Sequence, residues 1–306
     1  MPKFPFLSAF DFDQPAAPLS LYAYAPVFRI QDRRGDWVVK RTGHVHSSAE
    51  AIAAWLIALR RMGVEIVAPS AIFSPNPRRL ADGKDWVVYP FISGQTYTGS
   101  IAEIRSAGDL LGRIHAAAPL EAEALAIFKT PILRSAEWLE RHAGAAIVEM
   151  RKAGFASERF VALVDKYGAR SDPVQSLPLS GCSFDYKAAN LIFAPHAVLI
   201  DPDNAALAPR ILDLATALLL FHCDAPTAPA RLWNVEEWKI FLSSYRRHVD
   251  LTSAEHANWP AVLRLAWLDQ AVWLLGNWPE DWSNPKEANY LFSLATADLD
   301  RFTLME

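Results

Sequence analysis

Cysteine, glycine-rich sequence, long apolar runs and excess positive charge are all scarce in this chain. Its 306 residues hold two cysteines, Cys182 and Cys223, far apart and without C-x-x-C spacing. They supply neither a zinc-ligand pattern nor a disulfide framework, so a reducing, cytoplasmic setting is expected. The apolar run A-T-A-L-L-L-F at 215–221 is too short to span a bilayer. The N-terminus, M-P-K-F-P-F-L-S-A-F-D-F-D, places prolines and acids where a signal peptide would stay apolar. Thirty Lys and Arg face 34 Asp and Glu, a formal net charge of −4, and the basic residues are scattered. That distribution excludes an electrostatic footprint for nucleic acid and a polybasic membrane patch. The mild negative balance suits a cationic substrate. No Gly-rich loop stands in L-Y-A-Y-A-P-V at 21–27, and no internal repeat or low-complexity segment interrupts the chain.

What is present is ordinary folded-protein composition, 52% hydrophobic and 21% charged, on a chain long enough for two lobes. V-F-R-I-Q-D at 27–32 alternates, R-R-G-D at 33–36 reads as a turn, and W-V-V-K-R-T at 37–42 alternates again. This predicts a β-hairpin carrying Lys40. S-S-A-E at 47–50 supplies a helix N-cap, after which Ile52, Trp55, Leu56, Leu59 and Met62 recur at helical spacing up to Gly63. A-I-F-S at 71–74 and W-V-V-Y-P-F-I at 86–92 read as further strands. Beyond Ser93-Gly94, helical periodicity covers 104–114, 131–153, 156–168, 235–249, 259–276 and 286–303, and only 180–204 breaks into short β-type runs. The expected architecture is α+β: a small antiparallel sheet lobe with one helix over 1–92, then a larger, mainly helical lobe over 93–306. Ligands favour such a junction.

Residues 182–193, C-S-F-D-Y-K-A-A-N-L-I-F, set Asp185, Lys187 and Asn190 close together, and L-I-D-P-D-N at 199–204 follows with Asp201 and Asp203. A transferring γ-phosphoryl group needs positioning and charge neutralisation more than covalent help. The D-x-x-x-x-N spacing of Asp185 and Asn190 suits a carboxylate that accepts a hydroxyl proton and an amide that reaches magnesium. Asp201, just past an apolar pair, would bridge magnesium to the phosphates, and Lys40 adds positive charge.

At this point the sequence resembles the aminoglycoside phosphotransferase and choline kinase-like family, relatives of the protein kinases. The resemblance runs over nearly the whole chain: V-V-Y-P-F-I-S-G at 87–94 is similar to the family's interlobe hinge, D-L-L-G-R-I-H-A at 109–116 to the helix before its catalytic loop, and I-D-P-D-N-A-A-L-A-P-R-I-L-D-L-A at 200–215 to its I-D-x-D-x-A block. It implies a two-lobed protein kinase-like fold, ATP and Mg2+ as cofactors, and a small-molecule hydroxyl acceptor. It further implies adenine contacts from the Pro90 carbonyl and the Ile92 N–H, a phosphate role for Lys40 with Glu50 as its helix partner, Asp185 as catalytic residue, and Asn190 and Asp201 as metal ligands. Asp203 stands where the family often has a second acidic residue and is added to that metal set. Asp213 would brace the catalytic loop, although a helix N-cap is an equally simple reading.

Two departures stand out. Ser183-Phe184-Asp185 replaces the family's His-Gly-Asp, whose histidine orders the loop. Lys187 lies two residues after the aspartate, as in serine/threonine protein kinases, where it meets the γ-phosphate. The first departure motivates an alternative, a catalytically weak nucleotide-binding protein. G-C-S-F-D at 181–185 also half-matches a hydrolase nucleophile elbow, with Asp201 and His222 following in order. Elsewhere, His44 and His46 lack a third metal ligand and read as a solvated strand end. The late tryptophans read mostly as core, and Glu280 and Asp281 with Asp269 read either as a cation-recognition cluster or as a solvated loop.

Overall fold

A computed structural model describes residues 4–13, 18–21, 26–42, 46–117, 123, 125–127, 136–168 and 177–305. Helix α1 (Pro5–Ala9) precedes strands β1 (Val27–Asp32) and β2 (Gly35–Thr42), then helix α2 (Ala49–Arg61), the short strand β3 (Arg78–Arg79) and β4 (Asp85–Pro90). The four strands form one antiparallel sheet in the order β1-β2-β4-β3.

Alternation sorts the side chains of this sheet onto two faces. Phe28, Ile30, Trp37, Val39, Trp86 and Val88 point outward, where Phe6, Phe10, Phe12 and Phe73 cover them in a separate aromatic core. Val38, Val87 and Tyr89 point inward, onto Ile52, Trp55, Leu56 and Leu59 of α2, and this inner core runs without a break into the helical lobe. Lys40 shares the inward face with Val38 and Thr42, between Val27 and Val87 on the flanking strands. Helix α2 is capped by the Ser48 hydroxyl, which accepts from Ala51 N–H.

The expected strand at 71–74 is a single 3₁₀ turn over Ala71–Phe73. The following P-N-P has a single backbone N–H to offer a ladder. Instead the Asn76 side chain pairs with Val88 as a backbone would, donating to Val88 O at 2.8 Å and accepting from Val88 N at 3.0 Å.

The large lobe contains α3 (Ile101–Ala116), α4 (Ala136–Lys152), α5 (Glu158–Gly168), α6 (Arg210–Leu220), α7 (Val235–Tyr245), α8 (Ser253–Ala266), α9 (Val272–Asn277), α10 (Pro279–Ser283) and α11 (Pro285–Ala295). Between α3 and α6 lie two small antiparallel ribbons, β5 (Leu179–Cys182) with β8 (Ala206–Pro209), and β6 (Leu191–Phe193) with β7 (Ala197–Leu199). Gly108 and Gly112 sit one turn apart on α3, where a Cβ would fall on the backbone carbonyls of Phe241 and Tyr245. They let α7 pack backbone to backbone, which fixes α3 beneath the ribbons. A five-residue π-helical turn, Trp267–Ala271, joins α8 to α9. Helical periodicity continues to 303, but α11 stops at Ala295. The Phe302 and Thr303 carbonyls beyond it accept the indole N–H groups of Trp259 and Trp238 at 2.6 and 2.8 Å. These tryptophans are core, as their spacing predicts. Among the described residues, no helix is long and apolar enough to cross a membrane.

Candidate active site

A cleft of about 530 Å³ opens between the sheet and the ribbons. Val27, Val38 and Lys40 form its roof, Tyr89 to Gly94 its back, and Asp185, Lys187, Asn190, Ile192, Ile200 and Asp201 its floor. Seven residues singled out from the sequence therefore meet here: Lys40, Pro90, Ile92, Asp185, Lys187, Asn190 and Asp201. Asp203 and Glu50 are not on the cleft wall.

The catalytic-loop candidate is held from beneath. Asp213, in the first turn of α6 and wholly buried, accepts from the backbone N–H of Ser183 and of Phe184, both at 2.9 Å. Its Oδ2 also meets His115 Nε2 of α3 at 3.0 Å, and His115 Nδ1 meets the Tyr245 hydroxyl of α7 at 3.0 Å. A buried carboxylate is costly unless it is fully hydrogen-bonded, and this one has three partners, two from the loop and one from α3. Phe184 adopts a left-handed backbone, φ 52°, which turns Asp185 toward the cleft. The bracing role implied for Asp213 is what the structure displays. His115 was visible in D-L-L-G-R-I-H-A, but nothing in the sequence tied its ring to the loop. Cys182 completes a buried trio with His115 and Asp213. Its thiol donates to the Ser180 carbonyl at 3.4 Å, and burial pushes its pKa well up, so it behaves as a core side chain.

Asn190 Nδ2 donates to the Asp185 backbone carbonyl at 2.8 Å and to its Oδ2 at 3.0 Å. The amide nitrogen is thereby spent, and the amide oxygen is left for a cation. Lys187 Nζ lies 3.3 Å from Asp185 Oδ1 and 3.0 Å from Asp224 Oδ2. Burial pushes the Asp185 carboxyl above the usual range, with Lys187 opposing and the Asp201 charge adding to the shift. Burial alone would lower the Lys187 ammonium, but Asp185 and Asp224 outweigh it and raise its pKa.

Lys40 is almost enclosed, its side chain 8% exposed, and forms ion pairs with Asp201 and with Asp203 Oδ2, the latter at 2.9 Å. Desolvation works against its charge, and the two carboxylates overcome that and lift its pKa. Glu50, expected as its partner, is exposed in the first turn of α2, where helix-dipole stabilisation is its evident role. Asp201 is 36% exposed on the cleft wall. Hard oxygen donors from Asp201 and Asn190, beside Asp185, are a set that fits Mg2+ better than a soft metal.

At the hinge, Phe91 N–H is committed to the Asp36 carbonyl at 2.9 Å, and the Arg29 guanidinium lies 3.8 Å over the Phe91 ring. On the far side of the loop, Asp281 and Glu287 are pushed above the usual carboxyl range by burial and then by mutual repulsion that includes Asp224. Asp269 does not join them: buried on the π turn, it is bonded by Gln270 at 2.8 Å, and its charge acts on His46. His46 is half-buried with its ring 6.1 Å from that of Phe184, not a solvated strand end. His44 lies outside the described residues.

The hydrolase alternative has no assembled triad. Ser183 is fully buried, and its Oγ bonds to nothing among the described residues. His222 is bound by the Tyr97 hydroxyl at 3.2 Å and by the Arg231 carbonyl, while Asp201 pairs with Lys40.

The fold finds counterparts among known proteins. A microcompartment-associated aminopropanol kinase superimposes with a TM-score of 0.61 at 16% identity, covering 98% of each chain. A spectinomycin phosphotransferase bound to AMP gives 0.59 at 15% identity, over 90% of this chain and 92% of that one. An amicoumacin kinase in complex with AMP-PNP, Ca2+ and its substrate gives 0.58 at 17% identity, over 95% and 90%. No curated protein matches the chain in sequence. The profile of the phosphotransferase enzyme family does, over residues 16–248, a span that takes in the hinge, the braced loop and both acidic loop positions. The chain belongs to that family and is a small-molecule phosphotransferase.

Proposed function

We propose that the protein transfers the γ-phosphoryl group of ATP to a hydroxyl of a small, cationic acceptor. One observation carries the reading: a single cleft gathers Lys40, the hinge, Asp185, Lys187, Asn190 and Asp201. The apolar roof and back of the cleft suit a purine, with the Pro90 carbonyl and Ile92 N–H reading its edge. Lys40 meets the α- and β-phosphates. Asn190 and Asp201 would hold Mg2+, which neutralises charge on the phosphates when bound. Asp185 orients the acceptor hydroxyl and takes its proton late, and Lys187 stabilises charge on the transferring group. The carboxylates of Asp224, Asp281 and Glu287, repelling one another beside Lys187, favour an amine-bearing acceptor such as an amino alcohol or amino sugar. Similar proteins act on such compounds: one is a kinase of aminopropanol, another a spectinomycin phosphotransferase. A cytoplasmic setting supplies ATP at the concentrations such an enzyme uses.

Calorimetric titration of ATP with and without magnesium, into wild type and Asp201→Ala, tests the reading. Magnesium-dependent binding that is lost in the variant supports it, and turnover of hydroxyl acceptors that vanishes in Asp185→Asn completes it. Tight ATP binding indifferent to magnesium and to Asp201 would instead indicate a nucleotide-binding protein without catalysis.

A further inference from the structure

We infer that Asp203, a residue of the large lobe, is the positioning residue that holds Lys40 for the nucleotide phosphates, in place of a glutamate on helix α2. The inference rests on the kinase reading above.

The two acidic residues of I-D-P-D are not equivalent. Asp201 is on the cleft wall with 36% of its side chain exposed. Asp203 is off that wall, 13% exposed, with Oδ2 2.9 Å from Lys40 Nζ. The Thr42 hydroxyl also acts to lower its carboxyl pKa. Lys40 and Thr42 are two apart on β2 and so project from one face. The strand therefore faces one carboxylate with a cation and a hydroxyl from adjacent rungs, and the cation holds it. Glu50, meanwhile, is exposed on α2.

A metal ion held by Asp201 would take one of the two anchors of Lys40. Asp203 would be the one that remains, because it lies off the cleft wall. A lysine left without an anchor would pay rotamer entropy on meeting a phosphate, and a held one does not. The pair also crosses from sheet to ribbon, so the distance between Lys40 and the metal loop is set directly, not through α2.

The test is ATP affinity measured by calorimetry in EDTA and again at saturating magnesium, for Asp203→Asn, Thr42→Val and Glu50→Gln, with thermal melts to verify folding. Removing the Asp203 charge by itself makes the phosphate site more positive and should tighten metal-free ATP. A positioning role demands the opposite sign: Asp203→Asn weakens ATP roughly ten-fold both with and without metal. The half-saturating magnesium concentration stays unchanged. Thr42→Val, which changes no charge, weakens ATP about two- to three-fold, and Glu50→Gln leaves it unaltered. Tighter metal-free binding in Asp203→Asn, or a loss confined to the magnesium arm, overturns the inference and makes Asp203 a metal ligand. A loss in Glu50→Gln equal to that expected of Asp203→Asn also overturns it. Wild type that binds no ATP under either condition overturns the kinase reading itself, and this role with it.

Discussion

Asp185 carries a proton affinity set by its neighbours. Burial raises it, and the Lys187 ammonium pulls it back down. A group with a raised pKa keeps its proton to a higher pH than an exposed aspartate, so the acid limb of the pH–rate profile falls above the ordinary carboxylate range. Lys187→Met removes the opposing charge and should move that limb to still higher pH, while also lowering kcat. An acid limb unmoved in the variant would mean that Asp185 does not set it. Lys187 itself stays charged throughout, since its own pKa is raised. The residues of this loop were legible because their spacing is local: Asp185, Lys187 and Asn190 lie within six positions. What they bind was less so. Lys40 lies on the cleft wall, but its ion-pair partners are more than 160 positions away, and the sequence offers Glu50 because it is the only acidic residue in the first half of α2. His46 and Asp269 likewise come together through the fold alone.

Among the elements, α6 and α8 are joined at their N-termini. Arg210 donates to Glu255 through Nε at 2.7 Å and Nη2 at 2.9 Å, and Glu255 also accepts from Thr252 N–H at 2.7 Å in a capping box. Burial works to raise the Glu255 carboxyl, but Arg210 and Thr252 outweigh it and hold the carboxyl below its usual value. A depressed carboxyl contributes stability that is present above its unfolded pKa and is lost as pH falls through the folded one. Glu255→Ala should therefore destabilise by about 3 kcal/mol at neutral pH, leaving Arg210 part-buried without its partner. The gap to wild type should close as pH falls below the ordinary carboxylate range, and urea midpoints at neutral and acidic pH measure it. A gap that is independent of pH would assign the loss to the cap geometry instead. Periodic elements such as β2, α2 and α3 were readable because one face of each is apolar. The turn at Ala71–Phe73 was not, because Phe73 plugs the outer core without strand pairing while Ala71 and Ile72 stay exposed, and Asn76 takes the ladder's place against Val88.

At the scale of the whole molecule, the sheet serves two cores. The inner one is continuous with the helical lobe, so the lobes should unfold as one cooperative unit. Phe6 closes the outer one, fully buried, with ring centroids 4.9 Å from Phe28 and 4.7 Å from Trp86. Phe6→Ala should cost about 3–5 kcal/mol and shift a single thermal transition downward without splitting it. A separate early transition in scanning calorimetry would mean that the sheet melts independently of the helices. The brace under the catalytic loop has a consequence for how such chains are recognised. Asp213, itself held by His115, grips the loop through main-chain N–H groups, and the side chains of positions 183 and 184 take no part in that grip. Position 183 is bounded by burial and position 184 by its left-handed backbone, not by the hydrogen bonds of the brace. The chain shares its fold with proteins only 15–17% identical to it, and its own loop is held through backbone groups. A search keyed to histidine-glycine-aspartate would pass it by, whereas one keyed to the buried aspartate, its histidine and the D-x-x-x-x-N spacing would find it.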